Sequence, residues 1–203
     1  MGLGKNEIDL VILGILMGAP LHGYMIKQAI EGSYGDRYFK MSNSALYPAL
    51  GRLEKEGSIK GKRELQEAVP DKKVYHITEA GKKRFVELAA TLIEPSSTPG
   101  ATDFSFKLHA VHFGFLTKEQ RCNVTMPFYE ASKIELTEAL DKRVNFFQDM
   151  KKYSEAIEQN KELKEKFGSY MRNMAQIPML VLDQGIEELK GKIQFYEKLM
   201  ELD

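Results

Sequence analysis

The sequence has little cysteine, no excess of either charge and no long apolar run, and each absence excludes a class of protein. Cys122 is the one cysteine among 203 residues, so the chain cannot be a secreted scaffold held together by internal disulfides. The 29 basic and 29 acidic residues cancel, which argues against a uniformly basic coat protein but leaves room for a local basic surface. No apolar run approaches the roughly 18 residues that a transmembrane helix needs. We therefore expect a packed, cytoplasmic protein.

Motifs of the common enzyme classes are also missing. The sequence contains no Gly-x-Ser-x-Gly, no glycine-rich phosphate loop and no His-Glu-x-x-His. His109 and His112 stand three residues apart, a spacing that metal sites can use, and Cys122 follows them. No Cys-x-x-Cys accompanies this pair and no acidic residue lies between its members, so structural histidines are the favoured interpretation. We expect no catalytic site, no cofactor and no metal.

The chain divides at a polar stretch near its middle. Residues 94–103 read EPSSTPGATD, and two prolines, a glycine and four Ser or Thr residues are typical of a linker. This pattern predicts an N-terminal domain over residues 1–93, a linker over 94–103 and a helical C-terminal domain over 104–203.

The N-terminal part follows the order helix, helix, helix, strand, strand, helix. The second helix is expected to turn Leu21, Tyr24 or Met25, and Ala29 toward one side and to end at Gly32. Three helices and a hairpin fit a winged helix-turn-helix, in which a β-hairpin (the wing) lies behind the second helix of the motif. We therefore predict a mainly α protein that begins with a winged helix-turn-helix and a two-stranded wing. The expected ranges are helices over 6–17, 21–32 and 42–57, strands over 58–65 and 72–78, and a fourth helix from residue 78.

The third helix carries an unusual outer face. At 100° per residue its leucines share one face, whereas Ser44, Pro48, Gly51 and Lys55 share the opposite one. A solvated face normally holds strong helix formers, since proline costs roughly 3 kcal/mol and glycine roughly 1 kcal/mol in a helix interior. A bare face lets a helix approach another surface, such as the DNA major groove of about 12 Å width. A packing bend at Pro48 is the alternative, and the sequence leaves both open.

The start of this helix is undecided between two serines. Ser44 as the N-terminal cap would make Pro48 inexpensive, whereas Ser42 as the cap would place Pro48 at the sixth helical position, where a kink is expected. In either case the side chains and free N–H groups at this end can meet phosphate oxygens or base edges.

Basic side chains cluster around the third helix and the hairpin. Residues 40–63 hold six basic and two acidic residues, and Lys72 and Lys73 follow across the hairpin. Such a cluster indicates a phosphate-binding surface, and a solvated hairpin is an equal alternative. The six are Lys40, Arg52, Lys55, Lys60, Lys62 and Arg63.

Three separated motifs resemble the PadR family of transcriptional regulators. They are HGYMI at 22–26, SALYPALGRLEKEGSI at 44–59 and KKVYHITEAGKKRF at 72–85, and the second is the most specific. The resemblance implies a dimeric winged-helix DNA-binding protein, usually a repressor, with a helical C-terminal dimerisation region. The long C-terminal half resembles the subfamily that includes virulence activators, and some family members respond to small aromatic compounds.

Carried over to this sequence, the resemblance implies a set of DNA-binding residues on three segments. The wing is the least secure of these, because it lacks the usual Gly-Pro and Arg, and Asp71 at its turn would repel phosphate. The implied residues are His22, Tyr24, Ser42, Asn43, Ser44, Tyr47, Arg52, Lys60, Lys62, Lys72 and Lys73.

The last helix carries a heptad pattern that suits helix packing. Apolar residues recur at spacings of four and three from Ala175 to Met200. This seam can pack within the chain, against a helix over residues 128–150, or between two chains. We favour a homodimer, because two recognition helices double the contact with DNA over two half-sites. The residues assigned to dimerisation are Met179, Leu182, Ile186, Leu189, Ile193, Tyr196 and Met200.

The start of the C-terminal half is rich in aromatic residues. These side chains can line a ligand pocket, but core positions are the favoured interpretation, since aromatic residues dominate protein cores. They are Phe104, Phe106, Phe113, Phe115, Phe128 and Tyr129.

The favoured hypothesis is a sequence-specific regulator that binds double-stranded DNA as a homodimer at a pseudo-palindromic operator and represses transcription. A small aromatic effector is left open. The alternative is a winged-helix protein-interaction module that does not bind DNA. The basic set of Arg52, Lys60, Lys62, Lys72 and Lys73 discriminates between them, because only DNA binding requires phosphates to be neutralised.

Overall fold

The computed structural model describes residues 3–34, 41–64, 72–95 and 101–202, and this part of the chain is mainly helical. The predicted fold class, a winged helix-turn-helix followed by a helical region, is confirmed. The elements are α1 (Lys5–Gly18), β1 (Leu21–His22), α2 (Gly23–Tyr34), α3 (Asn43–Lys55), β2 (Ile59–Glu64), β3 (Lys72–Ile77), α4 (Glu79–Ala89), α5 (Ala101–Ala110), a 3-10 turn (Phe113–Phe115), α6 (Lys118–Gln159) and α7 (Lys161–Glu201).

Helix α1 is the centre of the winged helix. It contacts α2, α3, α4 and β3, and its apolar run from Leu10 to Leu13 is buried on every side. The third helix contributes its leucine face to this core, as its spacing predicted. Each buried leucine stabilises the fold by about 1.5–3 kcal/mol, so this apolar centre holds the other elements in place.

The sheet has a third strand that the sequence did not predict. Leu21 pairs with Tyr75 and His22 with Val74, so the strand order is β1-β3-β2 and both pairings are antiparallel. The expected helix start at Leu21 is therefore wrong, because these two residues extend β3 before α2 begins at Gly23.

The side of α2 that the sequence grouped together is not its buried side. Ile26 and Ile30 are fully buried, whereas Tyr24 and Met25 are exposed and Gly32 is helical instead of ending the helix. Ile26 and Ile30, four residues apart, therefore form the buried face of α2, and Tyr24 lies on the outside.

Contacts of Thr78, Gly57 and Gly81 hold the hairpin against α3 and α4. Gly57 ends α3 with φ of 77°, in the left-handed region that glycine adopts without strain. Thr78 Oγ1 donates to Gly57 O at 2.7 Å and accepts from Gly81 N at 3.0 Å. A Cβ at Gly81 would lie 1.9 Å from Ser58 O, so the backbone just before β2 packs directly on α4. Thr78 and Gly81 of the KKVYHITEAGKKRF motif thus have a structural role.

The chain forms two compact units, Met1–Val124 and Thr125–Asp203. The first unit extends past the predicted domain end at residue 93, because the segment after α5 packs on the winged helix. His112 lies edge-on to Phe85 at 5.2 Å and fills the space beside Gly14, and Phe106 is buried. Helix α5 begins at Ala101, inside the expected linker, and residues 96–100 lie outside the described ranges. The functional division at 94–103 stays a prediction.

In the second unit the rest of α6 lies antiparallel to α7. Phe128 contacts Tyr196 with ring centroids 6.4 Å apart, and further along Arg143 pairs with Asp183 at 2.5 Å. Ile186 and Tyr196 are buried and the other seam residues are half-buried within this single chain, as the intramolecular alternative predicted. Their role in a dimer stays a prediction.

Candidate nucleic-acid interface

The N-terminal cap of α3 is Ser42. Its Oγ accepts from Ala45 N at 3.2 Å and lies 2.9 Å from Ser44 Oγ. Pro48 therefore stands at the sixth helical position, yet the helix continues from Asn43 to Lys55. Because proline has no N–H, it cannot bond to the carbonyl of Ser44 one turn earlier. The predicted N-terminal residues Ser42, Asn43 and Ser44 are all exposed.

The outer stripe of α3, defined as Ser44, Pro48, Gly51 and Lys55, is exposed along its whole length. A Cβ placed on Gly51 would meet no atom within 4 Å in the described part of the chain. Packing inside this unit therefore does not require a glycine there. The helix accepts a cost of about 1 kcal/mol relative to alanine, and close approach of an outside surface is the physical reason that fits.

His22, Tyr24 and Tyr47 come together at the start of α2. The His22 and Tyr24 rings stack with centroids 6.0 Å apart and planes 11° from parallel. The Tyr47 ring lies against Gly23, the residue that separates His22 from Tyr24 in the chain. A Cβ added at Gly23 would lie 3.0 Å from Tyr47 Cε1. Tyr24 and Tyr47 are each 49% exposed. These aromatic rings border the N-terminal half of the outer stripe.

Arg52 turns inward instead of joining the exposed surface. It pairs with Asp9 of α1, which is fully buried, and Arg84 of α4 donates to the second Asp9 oxygen at 2.7 Å. Arg84 also reaches Glu56 at 2.6 Å. We call Asp9, Arg52, Arg84 and Glu56 the orientation network. The sequence pointed to Arg52 as a cation near DNA but gave no sign of its partner, 43 positions away in the chain.

Lys73 is likewise paired within the chain. Its Nζ donates to Glu54 Oε2 at 2.6 Å, and Gly61 N donates to Glu54 Oε1 at 3.1 Å. The Lys73 hydrogen bond is the main cause that lowers the pKa of Glu54. A Cβ at Gly61 would lie 2.0 Å from Lys73 Cε, so the glycine makes room for the pair. We call Glu54, Lys73 and Gly61 the wing clamp.

The remaining basic residues of the predicted set differ in accessibility. Lys60 and Lys62 on β2 are exposed, and so are Lys55 at the end of α3 and Arg63 beyond them. Lys72 begins β3, but its side chain lies outside the described residues. The exposed cations therefore lie on one hairpin strand and on the adjoining end of α3.

The two histidines are structural elements of the first unit. His109 Nδ1 lies 3.2 Å from Ala89 O, and burial lowers its pKa. Burial, with a smaller contribution from His109, lowers the pKa of His112 to about 4. Within the described ranges no group of three or more His, Cys, Asp or Glu side chains is arranged to hold a metal ion. No helix there is long and apolar enough to cross a membrane.

Comparison with known proteins supports the resemblance that the motifs carry. Residues 12–87 match the family described as transcriptional regulator PadR-like. The negative transcriptional regulator PadR of Bacillus subtilis (strain 168) is 30% identical over 109 residues, which are 54% of this chain and 58% of that protein. The match thus spans less than two thirds of that relative.

Solved structures include similar chains. A transcriptional regulator from Clostridium thermocellum is 29% identical, with a TM-score of 0.38, over 41% of this chain and 79% of the other. Bacillus subtilis PadR, in complex with operator DNA, is 21% identical, with a TM-score of 0.42, over 95% of this chain and 96% of the other. The matched family consists of regulators, not enzymes, which confirms that expectation. Residues 12–87 of this chain are therefore similar to the PadR-like family of transcriptional regulators.

Proposed function

We propose that the chain is a transcriptional regulator that binds specific double-stranded DNA as a cytoplasmic homodimer and represses the genes next to its operator. The observation that carries this proposal is the outer stripe of α3. It is exposed, has small residues at three of its four positions, and contains a glycine at position 51 that packing in the described first unit does not require. A helix of this kind can enter the major groove more deeply than one covered by long side chains.

In this proposal each exposed feature has a role in binding. The outer stripe enters the major groove, and the hydroxyls of Ser42 and Ser44 meet base edges or phosphates at the helix N-terminus. Tyr24 and Tyr47 border the stripe and contact the DNA backbone. Lys60 and Lys62 on the wing neutralise phosphates, which adds affinity without sequence preference.

Dimerisation would use apolar surface that the second unit leaves exposed. Ile177, Leu180 and Val181 on α7 are all more than half exposed, and contiguous apolar surface of this kind marks an association site. We propose a second copy of the chain as the occupant, because twofold symmetry places two recognition helices on successive half-sites. The seam residues beneath would then stiffen the helix pair that carries the interface.

An aromatic effector belongs to the proposal as a further element. A groove of about 690 Å³ lies between α6 and α7 and is lined by apolar side chains that include Phe146, Phe147, Met150 and Met179. Its size and lining fit a small aromatic molecule. Some members of the family that the motifs resemble respond to compounds of that class.

Footprinting of the duplex upstream of the chain's own gene tests the proposed function. We expect two protected half-sites separated by about one helical turn, roughly 34–36 Å, or a multiple of it. Protection of a single short site would contradict the dimer but keep DNA binding. No protection at any protein concentration would contradict the function.

A protein-interaction module without DNA binding is the second candidate. It is favoured by one observation: Arg52 and Lys73, two of the cations expected on DNA, are paired with carboxylates of their own chain. The same footprinting experiment separates the two candidates.

A further inference from the structure

Asp9 occupies a position that the proposed DNA contacts do not explain. Its carboxylate is fully buried in α1, where an unpaired charge would be strongly destabilising. Two arginines pair with this carboxylate, Arg52 from α3, which is the proposed recognition helix, and Arg84 from α4. Arg84 continues to Glu56, the residue that caps the C-terminus of α3. The network therefore holds α3 at two points along its length.

Such a network is not the simplest way to stabilise a core. Well-packed apolar residues of similar volume are often as stabilising as a buried ion pair. An ion network also restricts the relative orientation of the elements it joins, because a planar guanidinium donates to a carboxylate only within a narrow range of angles. A fixed angle matters most for a helix that must fit a groove.

The wing clamp likewise restricts the orientation of α3, here relative to the hairpin. Glu54 uses one oxygen for the backbone N–H of Gly61 on β2 and the other for Lys73 on β3. Both strands of the wing are thus tied to one side chain of the recognition helix. A Cβ at Gly61 would lie 2.0 Å from Lys73 Cε, so the Lys73 side chain would have to shift to accommodate it.

We propose that Asp9 and Glu54 are positioning residues that orient the recognition helix and the wing through Arg52 and Lys73. These two cations then do not neutralise phosphates. That role falls to the exposed residues Lys55, Lys60, Lys62 and Arg63. The inference rests on the proposed function and reassigns two of its expected DNA contacts.

The salt dependence of DNA binding distinguishes the two roles. The slope of log affinity against log salt changes by about 0.9 for each phosphate that the protein no longer neutralises. We would measure it by titrating the full-length chain on its upstream duplex and on a random duplex at several salt concentrations. The variants are Lys73→Met, Glu54→Gln and the double variant E54Q/K73M, whose net charge equals that of the wild type. Lys60→Met is the matched control on the wing.

We expect Lys73→Met and Glu54→Gln each to lower affinity for the upstream duplex by about 3–10-fold, the effect of one modest interaction, and to leave the slope unchanged. The double variant should bind only slightly more weakly than either single variant, because one clamp is broken in all three. Lys60→Met should flatten the slope by about 0.9 and weaken binding to both duplexes alike.

Arg52→Lys tests the orientation network while it keeps the positive charge. A lysine cannot reproduce the guanidinium geometry, so we expect affinity for the upstream duplex to fall at least about fivefold in a variant that circular dichroism shows to be folded. Near-wild-type affinity of Arg52→Lys would overturn the role of Asp9.

Two further results would contradict these roles. The first would overturn only the inference, whereas the second would also overturn the proposed function. A Lys73→Met slope that falls by about 0.9, together with tighter binding by Glu54→Gln, would make Lys73 a phosphate contact and overturn the inference alone. A wild-type chain that shows no preference for its upstream duplex at any salt concentration would overturn the proposed function, and the inference with it.

Discussion

The ring of Tyr47 on α3 lies against the backbone of Gly23, the first residue of α2. A Cβ at position 23 would come within 3.0 Å of Tyr47 Cε1, so the two helices meet here without an intervening side chain. This contact sets Tyr47 beside the stacked rings of His22 and Tyr24. The first helix of the motif thereby fixes the direction of an exposed aromatic residue on the second.

Replacing Tyr47 by alanine should weaken binding to the upstream duplex by about 1–3 kcal/mol, the value of one good base or backbone contact. Tyr47 is half exposed, so urea unfolding should show little loss of stability. Leu50→Ala is the control, since Leu50 is fully buried and its replacement should cost about 2–5 kcal/mol of stability. Equal losses of stability in the two variants would show that Tyr47 is a core residue.

Gly51→Ala should change the stability of the fold and the affinity for DNA in opposite directions. Alanine is favoured over glycine in a helix by roughly 0.5–1 kcal/mol, and there is room for its methyl group, so the melting temperature should rise. Affinity for the upstream duplex should fall, because the methyl group occupies the space that the groove wall would fill.

Gly32→Ala is the matched control for Gly51→Ala. Gly32 is an exposed helical glycine in α2 with no atom within 4 Å of an added Cβ among the described residues. The variant should gain a similar stability and keep its affinity. Unchanged affinity in Gly51→Ala would remove the main support for groove entry by the outer stripe.

Gly81→Ala should destabilise the winged helix by about 1–3 kcal/mol, the usual cost of overpacking. Its Cβ would lie 1.9 Å from the carbonyl oxygen of Ser58, a backbone atom that cannot rotate away. Chemical denaturation measures the loss, and Gly18→Ala, where an added Cβ meets no atom within 4 Å in the described chain, is the control. A stable Gly81→Ala chain would show that α4 can move off the hairpin.

Stability should fall as the pH drops from about 6.5 to about 4. Burial lowers the pKa of His112 to about 4, so the unfolded chain binds a proton across this window that the folded chain does not. The contribution of His112 to stability is complete above the pKa of this residue in the unfolded chain. It decreases as the pH approaches the pKa in the folded chain, and a shift of this size corresponds to a loss of about 3 kcal/mol.

His112→Phe is the variant that checks the origin of this pH dependence. Phenylalanine keeps a ring against Phe85 but cannot be protonated, so the slope of unfolding free energy between pH 6.5 and 4 should decrease. His109, whose pKa is also lowered by burial, would leave a residual slope. An unchanged slope in His112→Phe would assign the effect to other groups.

Local patterns in the sequence predicted most of the winged helix. The leucine spacing of α3, the start of α4 at Thr78 and the two wing strands depend on neighbours within a few residues, which periodicity reveals. Strand β1 was missed because two residues carry no alternation, and their pairing with Val74 and Tyr75 is visible only in three dimensions.

The candidate site was predictable in its exposed part only. Ser44 lies where the helical wheel placed it, at the surface, and Ser42 and Tyr47 are exposed as well. The pairing of Arg52 with Asp9 joins residues 43 positions apart, so the sequence showed the charge of Arg52 without its partner. A basic residue in a charge cluster can bind DNA or orient a helix, and only its neighbours in the fold distinguish the two.

Salt titration of the purified chain on its upstream duplex, with a random duplex in parallel, tests the central claim most directly. We expect much tighter binding to the upstream duplex and a linear fall of log affinity with log salt on both. If the four cations described as exposed on α3 and β2 act in each of two protomers, the slope should approach about seven, near 0.9 for each contact. Equal affinity for the two duplexes at every salt concentration would contradict a sequence-specific regulator at this site.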